Sequence, residues 1–184
     1  MTACIRQQDL VDSVAHALQY ISHYHSPDYL AHLTAAYRRE PSAPARDAMA
    51  QILASSRLAA IGRRPLCQDT GIVNVFLNVG MDVRWTGFTG SLEDAVNEGV
   101  RRAYLDPDNP LRASVVADPL FGRANTRDNT PAVISMRIVP GATLEVIVAA
   151  KGGGSENKAR LAMLNPGDSV VDWVLAQVPV SYTH

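Results

Sequence analysis

Gly71-Ile72-Val73-Asn74-Val75-Phe76-Leu77-Asn78-Val79 is the stretch on which the fold turns. It is rich in β-branched residues, and Val73, Val75, Leu77 and Val79 alternate, so they share one face of a strand. Upstream the periodicity is helical. Leu10, Val11, Val14, Leu18 and Ile21 recur at three- and four-residue steps and predict an amphipathic helix from Leu10 to Ile21. Pro27 and Asp28 start a second helix carrying Leu30, Leu33 and Tyr37, with Pro41 and Pro44 marking its end. A third runs from about Asp47, through Met49, Ile52 and Leu53, to Gly62 as its stop. Downstream, Ser91 and Asp94 read as a capping box ahead of Ala95, Val96, Val100 and Tyr104, in a helix that Pro107 terminates. Val133 to Val139 and Thr143 to Ala150 read as two strands joined across Pro140-Gly141-Ala142 in an antiparallel hairpin, since a Pro-Gly pair pre-sets a type II turn. Asp168 is the expected cap of a last helix bearing Val170, Val171, Val174, Leu175 and Val178. The fold class is α/β of the α+β type: N-terminal helices, then a mixed, partly antiparallel sheet with helices.

Composition narrows the function. With 184 residues, 47% hydrophobic and 19% charged, the chain has the makeup of a globular protein with one sizeable core. Seventeen basic against eighteen acidic residues create no field that gathers nucleic acid or anionic lipid, so small molecules or proteins are the expected partners. No run of about 18 apolar residues occurs, so no membrane span is expected. The two cysteines, Cys4 and Cys67, lie far apart, and Met1 opens into polar residues without the order of a signal peptide, which predicts a cytoplasmic setting.

Three stretches carry candidate chemistry. Pro65-Leu66-Cys67-Gln68-Asp69-Thr70-Gly71 sets a thiol, an amide, a carboxylate and a hydroxyl in succession before the strand. Cys67 can serve there as a nucleophile, a metal or cluster ligand, or an inert buried residue. A nucleophile wants a histidine, yet His16, His23, His25 and His32 all lie in the helical first third, where His23 and His25 read as surface polar residues, and His184 is terminal. Lys151-Gly152-Gly153-Gly154-Ser155-Glu156-Asn157-Lys158 is either a flexible turn or an anion-binding nest, because consecutive glycines let backbone N–H groups turn to one point. It lacks the spacing of a Walker loop or a dinucleotide fingerprint. Asn109-Pro110-Leu111-Arg112-Ala113-Ser114 and Asn125 to Pro131 are rich in turn formers, and Arg112 and Arg127 offer planar forks suited to carboxylates.

Taken together, CQDTGIVNVF at Cys67 to Phe76, GSLEDAVNEGVRRAY at Gly90 to Tyr104, LRASVVADP at Leu111 to Pro119, NTRDNTPAVI at Asn125 to Ile134 and AAKGGGSENKARLAMLNPGDSVVDWVL at Ala149 to Leu175 closely resemble the N-terminal, or alpha, part of class I fumarate hydratase. The resemblance implies a hydro-lyase of the tricarboxylic acid cycle that interconverts fumarate and malate at a [4Fe-4S] cluster held by three cysteines. By motif position it makes Cys67 a cluster ligand and Asp69 the catalytic candidate. Gln68, Arg112, Gly153 and Gly154 become substrate-binding candidates. It further implies a small dicarboxylate substrate, a C-terminal part or beta subunit as partner, and a homodimer when complete, with neither nucleic acid nor membrane involved.

The family pattern continues into a Gly-Trp-Cys-Pro-Pro-Gly type segment with a second cluster cysteine, where this chain reads Val180-Ser181-Tyr182-Thr183-His184. Residues 1–179 are therefore expected to form the alpha domain and residues 180–184 a tail outside the resemblance. Only one of the three expected thiolates is then present, and the 184 residues alone are expected to be inactive. Two other readings stay open. One is an alpha subunit like that of L-tartrate dehydratase; the other is a non-catalytic module that binds an anion or a partner subunit.

Overall fold

The structure, a computed structural model, describes residues 4–152 and 161–182. Its first helices follow the sequence periodicity: α1 spans Gln7–His23, α2 Pro27–Arg39 and α3 Ala43–Gly62. Leu10, Val11, Val14 and Leu18 of α1 are buried. Helix α3 begins four residues earlier than expected, because Pro44 occupies the first turn, where a missing N–H costs nothing. It is Arg63, at φ +47°, that takes the left-handed position after α3, with Gly62 still helical. Helix α2 packs mainly on α3 and buries none of its residues, and Ile52 on α3 is exposed.

The decisive stretch is strand β2, Ile72–Gly80, with Val73, Val75, Leu77 and Val79 all buried. One short strand precedes it: β1, Cys4–Arg6, which pairs in parallel with β3, Arg84–Thr86. Helix α4, Leu92–Tyr104, opens with the expected capping box: the Asp94 N–H donates to Ser91 Oγ at 3.0 Å, and the Ser91 N–H to Asp94 Oδ2 at 2.8 Å. Val96, Val100 and Tyr104 on α4 join the α1 side chains over the inner face of β2 to form the core. A short antiparallel pair, β4 at Val116–Ala117 and β5 at Ala124–Asn125, lies in the connection that follows.

The two later strands form where expected, as β6 (Val133–Val139) and β7 (Leu144–Lys151), but they are not a hairpin. The sheet order is β6-β2-β7, with β2 parallel to β6 and antiparallel to β7. β2 has a ladder of N–H and C=O groups on each edge, and both are satisfied when β6 and β7 flank it. The connection between them therefore passes over the end of β2. The Gly80 N–H donates to Thr143 O at 2.8 Å, Met81 to Val139 O at 2.9 Å and Asp82 to Gly141 O at 2.9 Å. Gly141 keeps the positive φ, +104°, that the Pro-Gly pair announced.

Helix α5 spans Val170–Tyr182, and its cap is Ser169 rather than Asp168. The Asp172 N–H donates to Ser169 Oγ at 3.2 Å, whereas Asp168 Oδ2 accepts from the Asn165 N–H at 2.7 Å. Among the described residues no helix is long and apolar enough to cross a membrane.

A Cβ added at Gly80 would lie 2.4 Å from the Gly141 carbonyl oxygen, while one at Gly167 meets nothing within 4 Å. Gly80→Ala is expected to destabilise the chain by about 2 kcal/mol, as backbone overpacking does, and Gly167→Ala by under about 0.5 kcal/mol. Urea midpoints of the two variants check this. A neutral Gly80→Ala would contradict the close approach of Gly141 to the end of β2.

Candidate active site

The segment from Arg63 to Gly71 links the C-terminus of α3 to the start of β2 and carries three of the candidate side chains. It is pinned at its base where the Leu66 N–H donates to Ser22 O at 2.7 Å, near the end of α1. His23, beside that anchor, is buried at 3% exposure, contrary to the surface position expected of it. Burial, with a smaller effect from the Arg63 charge, lowers its pKa.

Cys67 and Gln68 are exposed at the crest of the segment, and the Asp69 N–H donates to Cys67 Sγ at 3.4 Å. Gly71, at φ +68°, then turns the chain into β2 where Lys151 closes the ladder with Ile72. A Cβ at Gly71 would fall 1.7 Å from the Lys151 carbonyl oxygen, so only glycine permits this approach. The same closeness sets Asp69 over the first residue of the glycine run: a Cβ at Gly152 would lie 3.1 Å from Asp69 Oδ2. Gly153 and Gly154 lie outside the described residues.

Arg112 arrives by another route. The Thr70 Oγ1 hydroxyl donates to the Arg112 carbonyl oxygen, which holds this exposed residue beside the Cys67 segment although 42 positions separate them. A small cleft of about 160 Å³ opens here, with Leu18 and Ile21 of α1 on one side, Cys67, Asp69 and Thr70 on another, and Tyr104 and Leu111 completing it. An apolar lining with a few converging polar groups is the usual form of a small-molecule site. Tyr104 is 1% exposed and donates its hydroxyl hydrogen to Thr70 O at 3.2 Å. Thus Cys67, Asp69, the backbone of Arg112 and the start of the glycine run come together, while Arg127 sits at φ +68° on the separate turn after β5.

Sequence reasoning missed Tyr104 and Asn129 as parts of this site. By periodicity alone Tyr104 is one more apolar position of a helix. Asn129 was one turn former among many, although it is fully buried and accepts the N–H groups of Ser114 at 2.6 Å and Val115 at 3.0 Å.

The model of the family described as fumarate hydratase (fumerase) matches residues 11–183. The chain belongs to the fumarate hydratase family. It is 36% identical to the anaerobic class I fumarate hydratase of Escherichia coli over 72% of this chain and 25% of that protein. It is 36% identical to fumarate hydratase 2 of Leishmania major over 82% of this chain and 27% of that protein. With an L(+)-tartrate dehydratase subunit alpha assigned in Methanocaldococcus jannaschii the identity is 33%, over 75% of this chain and 48% of that subunit. The chain thus spans a quarter to a half of the length of these relatives. The family is one of hydro-lyases.

An iron-sulfur cluster needs several thiolates. Among the described residues no group of three His, Cys, Asp or Glu side chains is placed to hold a metal. Cys4 lies on β1, which pairs with β3, so Cys67 is the thiol at this site. The described residues, with Cys67 as the one thiol at the site, do not by themselves fit a [4Fe-4S] cluster.

Burial raises the Tyr104 hydroxyl above its ordinary value of 10.0, and the Asp69 charge adds to this, against smaller opposing effects of Thr70 and Asn129. Folding therefore favours the protonated phenol. Its contribution to stability is intact below pH 10.0 and is lost as the pH rises through the higher folded value. Tyr104→Phe is expected to remove that alkaline decline while costing about 1 kcal/mol at neutral pH for the lost hydrogen bond. Denaturant midpoints of both proteins across alkaline pH check the sign.

Proposed function

We propose that this chain supplies one side of the active site of a hydro-lyase that interconverts fumarate and malate. The observation that carries the reading is the placement of the Asp69 carboxylate against Gly152, with the Cys67 thiol two residues before it and Arg112 tied in through Thr70. In this reading Arg112 and Gln68 bind a substrate carboxylate, and Gly153 and Gly154, outside the described residues, remain substrate-binding candidates for the same anion. Asp69 holds or moves the proton that is exchanged at the carbon beside that carboxylate. Charge that builds on the carboxylate as the proton leaves is then met by the Arg112 guanidinium, a donor that stabilises such developing charge.

Cys67 is one ligand of a [4Fe-4S] cluster whose remaining thiolates come from a C-terminal part or a beta subunit outside these residues. The share of the relatives' length that this chain spans supports such a partner, as does the similarity to a protein whose name includes "subunit alpha". Phe76, Val133 and Ile147 are exposed, and in the registers of β2 with β6 and β7 they fall on the outer sheet face, which favours burial against that partner or in a homodimer. Two free, exposed cysteines suit a reducing cytoplasm. A second reading, a tartrate dehydratase alpha subunit, is favoured by the larger share, 48%, of the archaeal subunit that the chain covers.

Anaerobic reconstitution with iron and sulfide tests the reading. The 184 residues alone are expected to hydrate no fumarate, and the same chain joined to its completing part is expected to do so. In the completed enzyme Asp69→Asn lowers kcat by roughly 10²- to 10⁴-fold, the usual worth of a positioned acid or base. Arg112→Ala raises KM roughly 30-fold, about 2 kcal/mol for a charged hydrogen-bonding partner. Full activity from the chain alone, or unchanged kcat in Asp69→Asn, would contradict it. A preference for tartrate over malate would favour the second reading.

A further inference from the structure

We propose that Asn129, together with the Thr70 hydroxyl, is a positioning residue that fixes Arg112 against Asp69; the inference rests on the carboxylate-binding reading of Arg112. Asn129 is completely buried and sits at φ +60°, a left-handed conformation that asparagine tolerates and β-branched residues do not. Its Oδ1 uses both lone pairs, on the N–H groups of Ser114 (2.6 Å) and Val115 (3.0 Å), two and three residues past Arg112. Its Nδ2 donates to Gly71 O at 2.8 Å, two residues past Asp69. One amide therefore joins the backbone that carries the carboxylate to the backbone that carries the guanidinium.

The second tie runs in the same direction. Thr70 Oγ1 donates to Arg112 O, and Thr70 O in turn accepts the Tyr104 hydroxyl at 3.2 Å. Tyr104 O accepts the Leu111 N–H at 3.2 Å, so the segment leading into Arg112 is held from α4 as well. Arg112 itself is exposed. The grip of a flexible, exposed arginine on a carboxylate depends on where its backbone is held, and a displacement of about 1 Å is enough to cost a large factor in rate or affinity. Neither Asn129 nor the Thr70 hydroxyl needs to touch substrate to matter. Their effect passes through Arg112.

The test is a set of substitutions in the completed enzyme, read as separate KM and kcat for fumarate. Asn129→Asp keeps the acceptor for Ser114 and Val115 and tolerates the same φ, but it loses the donor to Gly71 and sets a carboxyl group in a buried position; Thr70→Val removes the bond to Arg112 at nearly constant shape. Each is expected to raise KM about tenfold with kcat within about twofold, and Thr70→Ser to restore KM. In an Arg112→Ala background neither substitution raises KM further, because its effect has lost its agent. A wild-type KM in Asn129→Asp and Thr70→Val, or losses that add in full to that of Arg112→Ala, would overturn the inference and leave the binding role of Arg112 standing. A wild-type KM in Arg112→Ala overturns that role and the inference with it. If Asn129→Asp does not fold, the Thr70→Val and Thr70→Ser pair decides alone.

Discussion

β2 satisfies a ladder partner on each edge and buries one face, and the other parts of the molecule are placed by that requirement. Its inner face takes α1 and α4, which fixes where Tyr104 ends and where the segment toward Arg112 begins. Its antiparallel edge takes β7, which brings Lys151 and Gly152 to the start of β2 rather than to its end. Gly71 is the point where these demands meet. Without a side chain there, the backbone before β2 comes against the backbone after β7, and Asp69 is set on Gly152. Core and site are thus one construction: the hydrophobic alternation of Val73, Val75 and Leu77 sets the register, and the register delivers the carboxylate.

Much of this was legible in the residues. Period-two alternation in β2 and the three- and four-residue steps of α1 are direct consequences of which face is buried, and both were read correctly. The capping box at Ser91 is a local device that needs no tertiary information. The β6–β7 relation was misread because a Pro-Gly turn reports only that the chain reverses, not which strand lies between the two arms. β1, of three residues, carries too little pattern to be seen. At the site, the cluster of polar residues at Cys67 to Thr70 was visible as composition, whereas Asn129 was hidden among other turn formers. Its importance lies in burial and in bonds to residues 14, 15 and 58 positions away, which no local pattern encodes.

The division between what this chain holds and what it leaves to others is also physical. It brings together a carboxylate, a thiol, an arginine and the opening of a glycine run, and it leaves Phe76, Val133 and Ile147 uncovered on the outer sheet face. The proposed function makes of these a half-site, completed by a second surface; the chain spans a quarter to a half of its relatives' length.

The most direct measurement is a crystal structure of the completed enzyme with malate or a non-reacting dicarboxylate bound. The account predicts one ligand carboxylate within hydrogen-bonding distance, about 3 Å, of the Arg112 guanidinium, with the Asp69 carboxyl beside the reacting carbons and Gly152 still against it. A dicarboxylate bound away from the Cys67 to Gly71 segment, or Asp69 turned away from it, would contradict the account.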